Sequence, residues 1–163
     1  SMEGGISEMS KQELQQKGFT IIEVVLVLAI AALIFLMVFI ALPALQRNQR
    51  DQALKTVQGK VVSAIGSYQS SHRNNQYTNT TDLASYLDVP VPATAGATLA
   101  NVDGYTLSTV GSIDYTGATN DTIYIVKNSK CDSDGTTTVP GSSRNAAVLV
   151  KPENGAALVC QAA

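Results

Sequence analysis

The distribution of hydrophobic positions separates an apolar N-terminal part of the chain from a more polar remainder. Every residue from Val24 to Leu42 is apolar, a run of 19 positions without a polar side chain. At about 1.5 Å per residue the run would form a helix of about 28 Å, close to the ~30 Å hydrocarbon core of a membrane. A signal-peptide core is usually shorter and is followed by a cleavage site with small residues, which does not follow here. The pattern predicts a membrane-spanning helix over residues 19–45.

A helical period continues beyond this run, because large apolar side chains recur at steps of three and four residues. They form one face of an amphipathic helix and are Leu54, Val57, Val61, Ile65 and Tyr68. The polar side chains among them are expected on the solvated surface: Arg50, Gln52, Lys55 and Gln58. Pro43 lacks a backbone N–H, so the helix is expected to kink or break there. The pattern predicts one helix from about Thr20 to about Ser71, with residues 46–71 as its amphipathic half.

Further along the chain, the apolar positions follow the period of two that is typical of β-strands. Four stretches show it: Tyr105–Val110, Thr122–Lys127, Ala146–Lys151 and Ala156–Gln161. An Asn-Gly pair at 154–155 predicts a hairpin between the last two. Residues 105–163 are therefore expected to form an antiparallel sheet of three or four strands, with one face packed on the amphipathic half of the helix. The predicted fold class is α+β.

Residues 72–104 lie between the predicted helix and the predicted sheet and are rich in turn formers. A short periodic stretch, Thr81–Leu87, predicts one or two helical turns capped by Thr80 or Thr81. The rest is expected to be an ordered and specialised loop, since structureless connections of this length are uncommon in compact domains.

Charge and cysteine usage limit the function classes. The formal net charge of −2 gives no basic field, so the composition does not indicate nucleic-acid binding. Lys and Arg flank the apolar run on both sides, and the positive-inside rule therefore leaves the topology undecided. Cys131 and Cys160 are expected to pair if their domain lies outside the cytoplasm; inside the cytoplasm they would be two unrelated thiols.

The sequence offers few candidates for catalysis or metal binding. Asp132 and Asp134 alternate as in calcium loops, but the other EF-hand ligands are missing. They are weak metal candidates, and a solvated Asp-Gly turn is the favoured interpretation. His72 lies at the predicted helix end, where a cationic side chain suits the helix dipole. No nucleophile–base pair can be assembled from the remaining residues, so we expect neither an enzyme nor a bound cofactor.

The residues at the start of the apolar run carry a resemblance to a known family. The block GFTIIE at residues 18–23 resembles the processing site of type IV prepilins, and the likeness covers residues 17–50. It implies that residues 1–18 are a cytoplasmic leader, which a prepilin peptidase removes by cutting between Gly18 and Phe19. The same enzyme would methylate the new amino terminus of Phe19. The domain beyond the membrane span would then lie outside the cytoplasm.

The resemblance also implies roles for single residues. Glu23, the fifth residue of the mature protein, would pair with the amino terminus of a neighbouring subunit, which exists only after cleavage. Many members of the family have a proline where the helix melts in the filament, a few positions before the place that Pro43 has here. The family's lollipop fold would set the helix on an antiparallel sheet, and Cys131 and Cys160 would close a C-terminal disulfide loop.

The implied product is a structural subunit of a type IV pilus or a related surface filament. Its partners would be copies of itself or other pilins, the prepilin peptidase/methyltransferase, the pilus assembly platform and, before assembly, membrane lipid. The chain would cross the inner membrane once, with its C-terminal domain outside, and then enter an extracellular pilus. Two alternatives stay open: a pseudopilin of a type II secretion or competence system, and a monomeric, membrane-anchored extracellular binding domain in which Glu23 has no assembly role.

Overall fold

A computed structural model describes residues 18–93 and 98–163 of the chain. Helix α1 covers Ile21–Ser71, and a short 3₁₀ helix covers Thr80–Leu83. Six strands follow: β1 Thr106–Thr109, β2 Thr122–Lys127, β3 Ser129–Cys131, β4 Thr138–Pro140, β5 Ala146–Val150 and β6 Val159–Ala162. The α+β class is confirmed. The chain divides into two units, Ser1–Leu45 and Gln46–Ala163, and each is described by itself.

Helix α1 has nearly the predicted bounds, and the predicted apolar stripe faces the core of the second unit. Leu54, Val57, Val61 and Ile65 are each at most 4% exposed, and Tyr68 packs against them while half-buried. These positions recur every three or four residues, which places them on one side of the helix. The helix continues through Pro43, and the predicted break at this residue stays a prediction about the assembled filament.

Two polar side chains of α1 lie in the core, and the sequence pattern gave no sign of either. Gln58 was expected on the surface, but it is fully buried and its Nε2 donates to the carbonyls of Val148 and Val159, at 2.8 and 2.9 Å. Asp51 is also buried, and its carboxylate accepts the backbone N–H groups of Glu153 and Asn154, at 2.7 and 2.9 Å. Both residues fasten the helix to the β5–β6 hairpin.

The main sheet has the strand order β1-β2-β5-β6. Strands β2, β5 and β6 pair antiparallel, as predicted. The pairing of β1 with β2 is parallel, with Thr106 opposite Thr122, so the sheet is mixed and the prediction of a purely antiparallel sheet is corrected here. The connection through residues 110–121 is long enough to return the chain to the end of the sheet where β1 began, which a tight hairpin turn cannot do.

Strand β2 is buried on both sides of the sheet, which explains its nearly continuous apolar sequence. Ile123 and Ile125 join the core that contains α1. Tyr124 and Val126 face the opposite side, where they form a second cluster with Ala118, Ala147, Leu149 and Leu158. That second side is covered by half-buried residues from the β1–β2 connection and by the two cysteines. The second unit, Gln46–Ala163, is called the body below, and its main sheet has an apolar cluster on each side.

Strands β3 and β4 form a separate antiparallel hairpin that was not predicted. Each strand has only three residues, and SKC and TVP are too short and too polar to show a period of two. A disulfide joins Cys131 at the end of β3 to Cys160 in β6, with the Cα atoms 5.7 Å apart. The N–H of Cys160 also donates to the carbonyl of Gly135 at 2.8 Å. The hairpin is thus attached to the edge of the main sheet.

The loop over residues 72–104 is anchored by its own buried side chains, so far as residues 72–93 and 98–104 are described. Tyr77 is buried, its hydroxyl lies 2.8 Å from Oγ1 of Thr109, and burial raises the pKa of the phenol to about 12. Lys127 donates to the Tyr77 carbonyl at 2.6 Å and lies over its ring. Asn79 occupies the N-cap position of the helical turn, which corrects the prediction of Thr80 or Thr81. Thr80 points inward and its hydroxyl oxygen accepts the N–H of Leu99.

Candidate processing and assembly site

The peptide bond between Gly18 and Phe19 lies outside regular secondary structure. Residues 18–20 are exposed and non-helical, and α1 begins at Ile21. Phe19 is 85% exposed. An irregular, exposed backbone is what a peptidase needs at its cleavage site, and glycine adds flexibility before the bond. Residues 1–17 of the predicted leader lie outside the described part of the chain.

Thr20 and Glu23 form a capping box at the start of α1. The N–H of Glu23 donates to Oγ1 of Thr20 at 3.3 Å, and the N–H of Thr20 donates to Oε2 of Glu23 at 3.4 Å. Both distances are longer than the range of about 2.7–3.2 Å that is usual for N–H···O hydrogen bonds, so the two bonds are weak. The Thr-x-x-Glu spacing is a known sequence signature of a helix start. It was present in the sequence, but the prediction treated Glu23 only as an intermolecular partner.

The carboxylate of Glu23 is electrostatically isolated along its own segment. It is the acidic residue in the first turn of α1, where the positive end of the helix dipole favours a negative charge. No other residue from Phe19 to Gln46 carries a charged side chain. A carboxylate in an apolar environment needs a cation or several hydrogen-bond donors. The helix end supplies one donor from Thr20, and a cation must come from outside this segment.

The apolar half of α1 exposes its large side chains. From Ile21 to Leu45, every Val, Leu, Ile, Met and Phe is at least 47% exposed. Among the described residues, α1 is the one helix long and apolar enough to cross a membrane, judged by length and composition. An exposed apolar surface of this extent requires lipid or protein around it.

The start of α1 also matches a known family model. Residues 14–39 match the prokaryotic N-terminal methylation motif. The chain carries a type IV prepilin-like leader signature. The signature includes Gly18, Phe19 and Glu23, and together with the apolar helix it indicates membrane anchoring before assembly. Searches among curated proteins and among solved structures gave no match.

The prepilin-like signature ends before Pro43 and before the whole second unit. For the body, the likeness to pilins rests on the α+β fold and on the bridged pair Cys131–Cys160. The matched motif therefore supports a pilin-like or pseudopilin-like protein that is processed by a prepilin peptidase. The motif is common to pilins and pseudopilins.

The two aspartates that were weak metal candidates are used in the turn between β3 and β4. Oδ1 of Asp132 accepts the N–H of Ser133 at 2.7 Å, and Oδ1 of Asp134 accepts the N–H of Thr136 at 2.9 Å. The backbone hydrogen bond to Thr136 holds the pKa of Asp134 below its usual value. No cluster of three or more potential metal ligands occurs in residues 18–93 and 98–163. The hydrogen bonds fit the turn interpretation.

His72 lies directly after α1, as predicted from its place at the helix end. Its ring stacks on that of Tyr68, with centroids 3.9 Å apart, and its Nδ1 lies 2.9 Å from the Tyr68 carbonyl oxygen. The same Tyr68 carbonyl accepts the backbone N–H of His72 at 3.0 Å, so both of these polar contacts of His72 are to the last helical turn. These contacts are consistent with a residue that ends the helix.

Proposed function

We propose that this protein is a type IV pilin-like structural subunit, which polymerises through α1 into a pilus or a related surface filament. The proposal rests on two features that occur on the same segment. The matched methylation motif lies on the same residues that expose a continuous apolar helix surface. A helix that carries a processing motif and has no apolar partner among the described residues 18–45 suits a subunit that packs against further copies.

Cleavage between Gly18 and Phe19 would supply what the site lacks. It creates an ammonium group at Phe19, and an ammonium group of a neighbouring subunit is the cation that Glu23 needs. A carboxylate within a membrane costs about 2.5–3.5 kcal/mol on insertion scales, and pairing offsets part of that cost. Cleavage also removes the charged leader, which contains Lys11, Glu13 and Lys17. Processing would therefore make assembly possible in two ways.

The proposed partners follow from these steps. The prepilin peptidase/methyltransferase acts on Gly18–Phe19, membrane lipid surrounds the apolar half before assembly, and an assembly platform moves the subunit into the filament. Other copies of the chain, or other pilins, then replace the lipid. In this proposal the body lies outside the cytoplasm throughout, the disulfide suits an oxidising compartment, and the protein has no catalytic role.

Substitution of Glu23 tests the proposal directly. We expect E23A to be processed normally, because the peptide bond to be cut is unchanged and exposed. We also expect it to be at least about tenfold depleted in sheared filaments, because loss of about 1.4 kcal/mol of interaction energy changes an equilibrium constant tenfold. E8A is the matched control, because Glu8 lies in the predicted leader and is absent from the mature subunit. Normal filament content of E23A would contradict the proposed role of this carboxylate.

Two observations distinguish a pilin from a pseudopilin. Abundant surface fibres that contain this chain are expected in parent cells for a pilin, whereas loss of exoprotein secretion on deletion of the gene would identify a pseudopilin. A leader that stays attached in cells with an active prepilin peptidase would instead support a monomeric anchored domain.

A further inference from the structure

The connection between β5 and β6 contains a chemically labile pair of residues, Asn154 and Gly155. The chain has nine asparagines, and Asn154 is the one that is followed by glycine. Both residues of the pair are exposed and lie outside regular secondary structure. Asparagine is a thermolabile residue type, and a following glycine has no Cβ to hinder the approach of its own nitrogen to the asparagine side chain. The pair is therefore where an asparagine amide of this chain is most open to attack by the backbone.

The backbone nitrogen of Gly155 is the nucleophile that such an attack requires, and the fold leaves its N–H free. No acceptor among the described residues takes a hydrogen bond from this N–H. Asn101 is also exposed, but it is followed by Val102, whose N–H donates to the Tyr105 carbonyl at 2.9 Å. A nitrogen in such a bond must first lose its partner, which costs free energy. Hydrogen bonding thus favours attack at the Asn-Gly pair over attack at this second exposed asparagine.

We propose that Asn154 is a site of spontaneous deamidation, which loosens the attachment of α1 to the β5–β6 hairpin. The Gly155 nitrogen loses its proton and bonds to Cγ of Asn154, the bond from Cγ to Nδ2 breaks, and Nδ2 leaves with that proton as ammonia. Water then opens the five-membered succinimide ring at one of its two carbonyls. Opening at Cγ gives aspartate, and opening at the main-chain carbonyl gives isoaspartate. The reaction consumes one water, releases one ammonia, needs no enzyme and does not depend on the proposed function.

Either product acts on the contacts that Asn154 makes with α1. Its Nδ2 donates to Oδ1 of Asn48 at 3.0 Å, and its backbone N–H donates to Oδ2 of Asp51 at 2.9 Å. Deamidation removes the first donor and adds a carboxylate close to that of Asp51, and two negative charges at short range repel each other. In isoaspartate the main chain is also one carbon longer, directly after the N–H that Asp51 accepts. Both changes weaken the hydrogen bonds that fasten the helix to the hairpin.

Prolonged incubation of the freshly purified full chain in detergent, at mildly alkaline pH, tests the site. Peptide mass spectrometry should show the peptide with Asn154 gaining about 1 Da, because OH replaces NH₂, and separating into aspartate and isoaspartate forms. The peptide with Asn101 is the internal control and should keep its mass. N154Q is the matched variant: its amide lies one methylene further from the backbone nitrogen, so this peptide should also keep its mass. An Asn154 peptide that changes no faster than the Asn101 peptide would overturn the proposed site.

Proteolysis tests the effect on the fold. The deamidated chain carries one more negative charge and can be separated from the unmodified chain by ion exchange. We expect its body to be digested about fivefold faster, because loss of one hydrogen bond shifts an opening equilibrium by about that factor. N154D carries the aspartate product from the start and should also be digested faster than the parent. Equal digestion of the modified chain, the parent and N154D would overturn the proposed loosening of α1 from the hairpin.

Discussion

The two halves of α1 differ in what surrounds their apolar side chains. From Ile21 to Leu45 the large apolar residues form an unbroken run and all are at least 47% exposed. From Gln46 to Ser71 the apolar residues recur every three or four positions, and those of the stripe are buried against the sheet. A stripe on one side of a helix needs a partner on that side alone, whereas a helix that is apolar all round needs an apolar environment on every side. The period therefore shows which half depends on its own fold and which depends on lipid or on other subunits.

The polar groups of the two regions repeat this contrast. In the body, the buried Asp51 carboxylate accepts two N–H groups of the β5–β6 hairpin, and Nε2 of Gln58 donates to two of its carbonyls. Among the described residues, Oε1 of Gln58 has no donor. In the apolar half, Glu23 has one N–H from its own chain and no cation between Phe19 and Gln46. The body supplies partners for the Asp51 carboxylate and for Nε2 of Gln58 from its own chain, whereas the apolar half supplies no cation for Glu23.

The largest effect on the body is expected from its disulfide. The bond closes a loop of sequence separation 29, for which chain-entropy arguments give about 3–4 kcal/mol of stabilisation. Reduction should therefore release the β3–β4 hairpin from β6 and increase proteolysis of the body in mild detergent. The double variant C131S/C160S is the control, because reductant should not change its digestion further. Equal digestion of the parent chain with and without reductant would show that the bridge contributes little to the body.

Two isoleucines on α1 differ in burial in the same way as the two halves of the helix. Ile65 is fully buried, so I65A should lower the free energy of unfolding of the body by about 3 kcal/mol through lost burial and a residual cavity. Ile34 is 56% exposed, so I34A should change that free energy by less than about 0.5 kcal/mol. Urea unfolding of both variants in the same detergent measures the difference. Similar losses would contradict the assignment of the two halves to different surroundings.

A smaller loss is expected at the buried carboxylate of Asp51. In D51N one oxygen is replaced by an NH₂ group, which cannot accept from the Glu153 or Asn154 N–H, so one buried donor loses its partner at a cost of about 2 kcal/mol. K60A provides the matched exposed case, because the Lys60–Asp103 ion pair is largely solvent-accessible and should contribute less than about 1 kcal/mol. Urea unfolding ranks the two variants. A larger loss in K60A than in D51N would reverse the account of which polar contacts hold the body together.

Most secondary structure could be predicted from the sequence, because it depends on strong local periods. The bounds of α1 and of β2 follow from runs of apolar residues with clear spacing. The direction of β1 relative to β2 could not be predicted, because a period of two is the same in parallel and antiparallel strands. Strands β3 and β4 were missed because three residues are too few to show a period.

The candidate site was predictable in part for a similar reason. Gly18, Phe19 and Glu23 lie in one short local motif, so their resemblance to a prepilin processing site could be recognised from the sequence alone. The capping role of Thr20 was also local and readable, and it was overlooked. Gln58 could not be recognised as buried, because its partners are the carbonyls of Val148 and Val159, far away in the sequence. Such long-range contacts carry no signal in the helix pattern itself.

The proposed function depends above all on processing at Gly18–Phe19, which would expose an assembly helix. Intact-mass and N-terminal peptide mass spectrometry of the native protein, from cells with an active prepilin peptidase, test it most directly. We expect a mature chain that starts at Phe19 and carries a methyl group on its α-amine. A native chain that still carries residues 1–18 in such cells would contradict it.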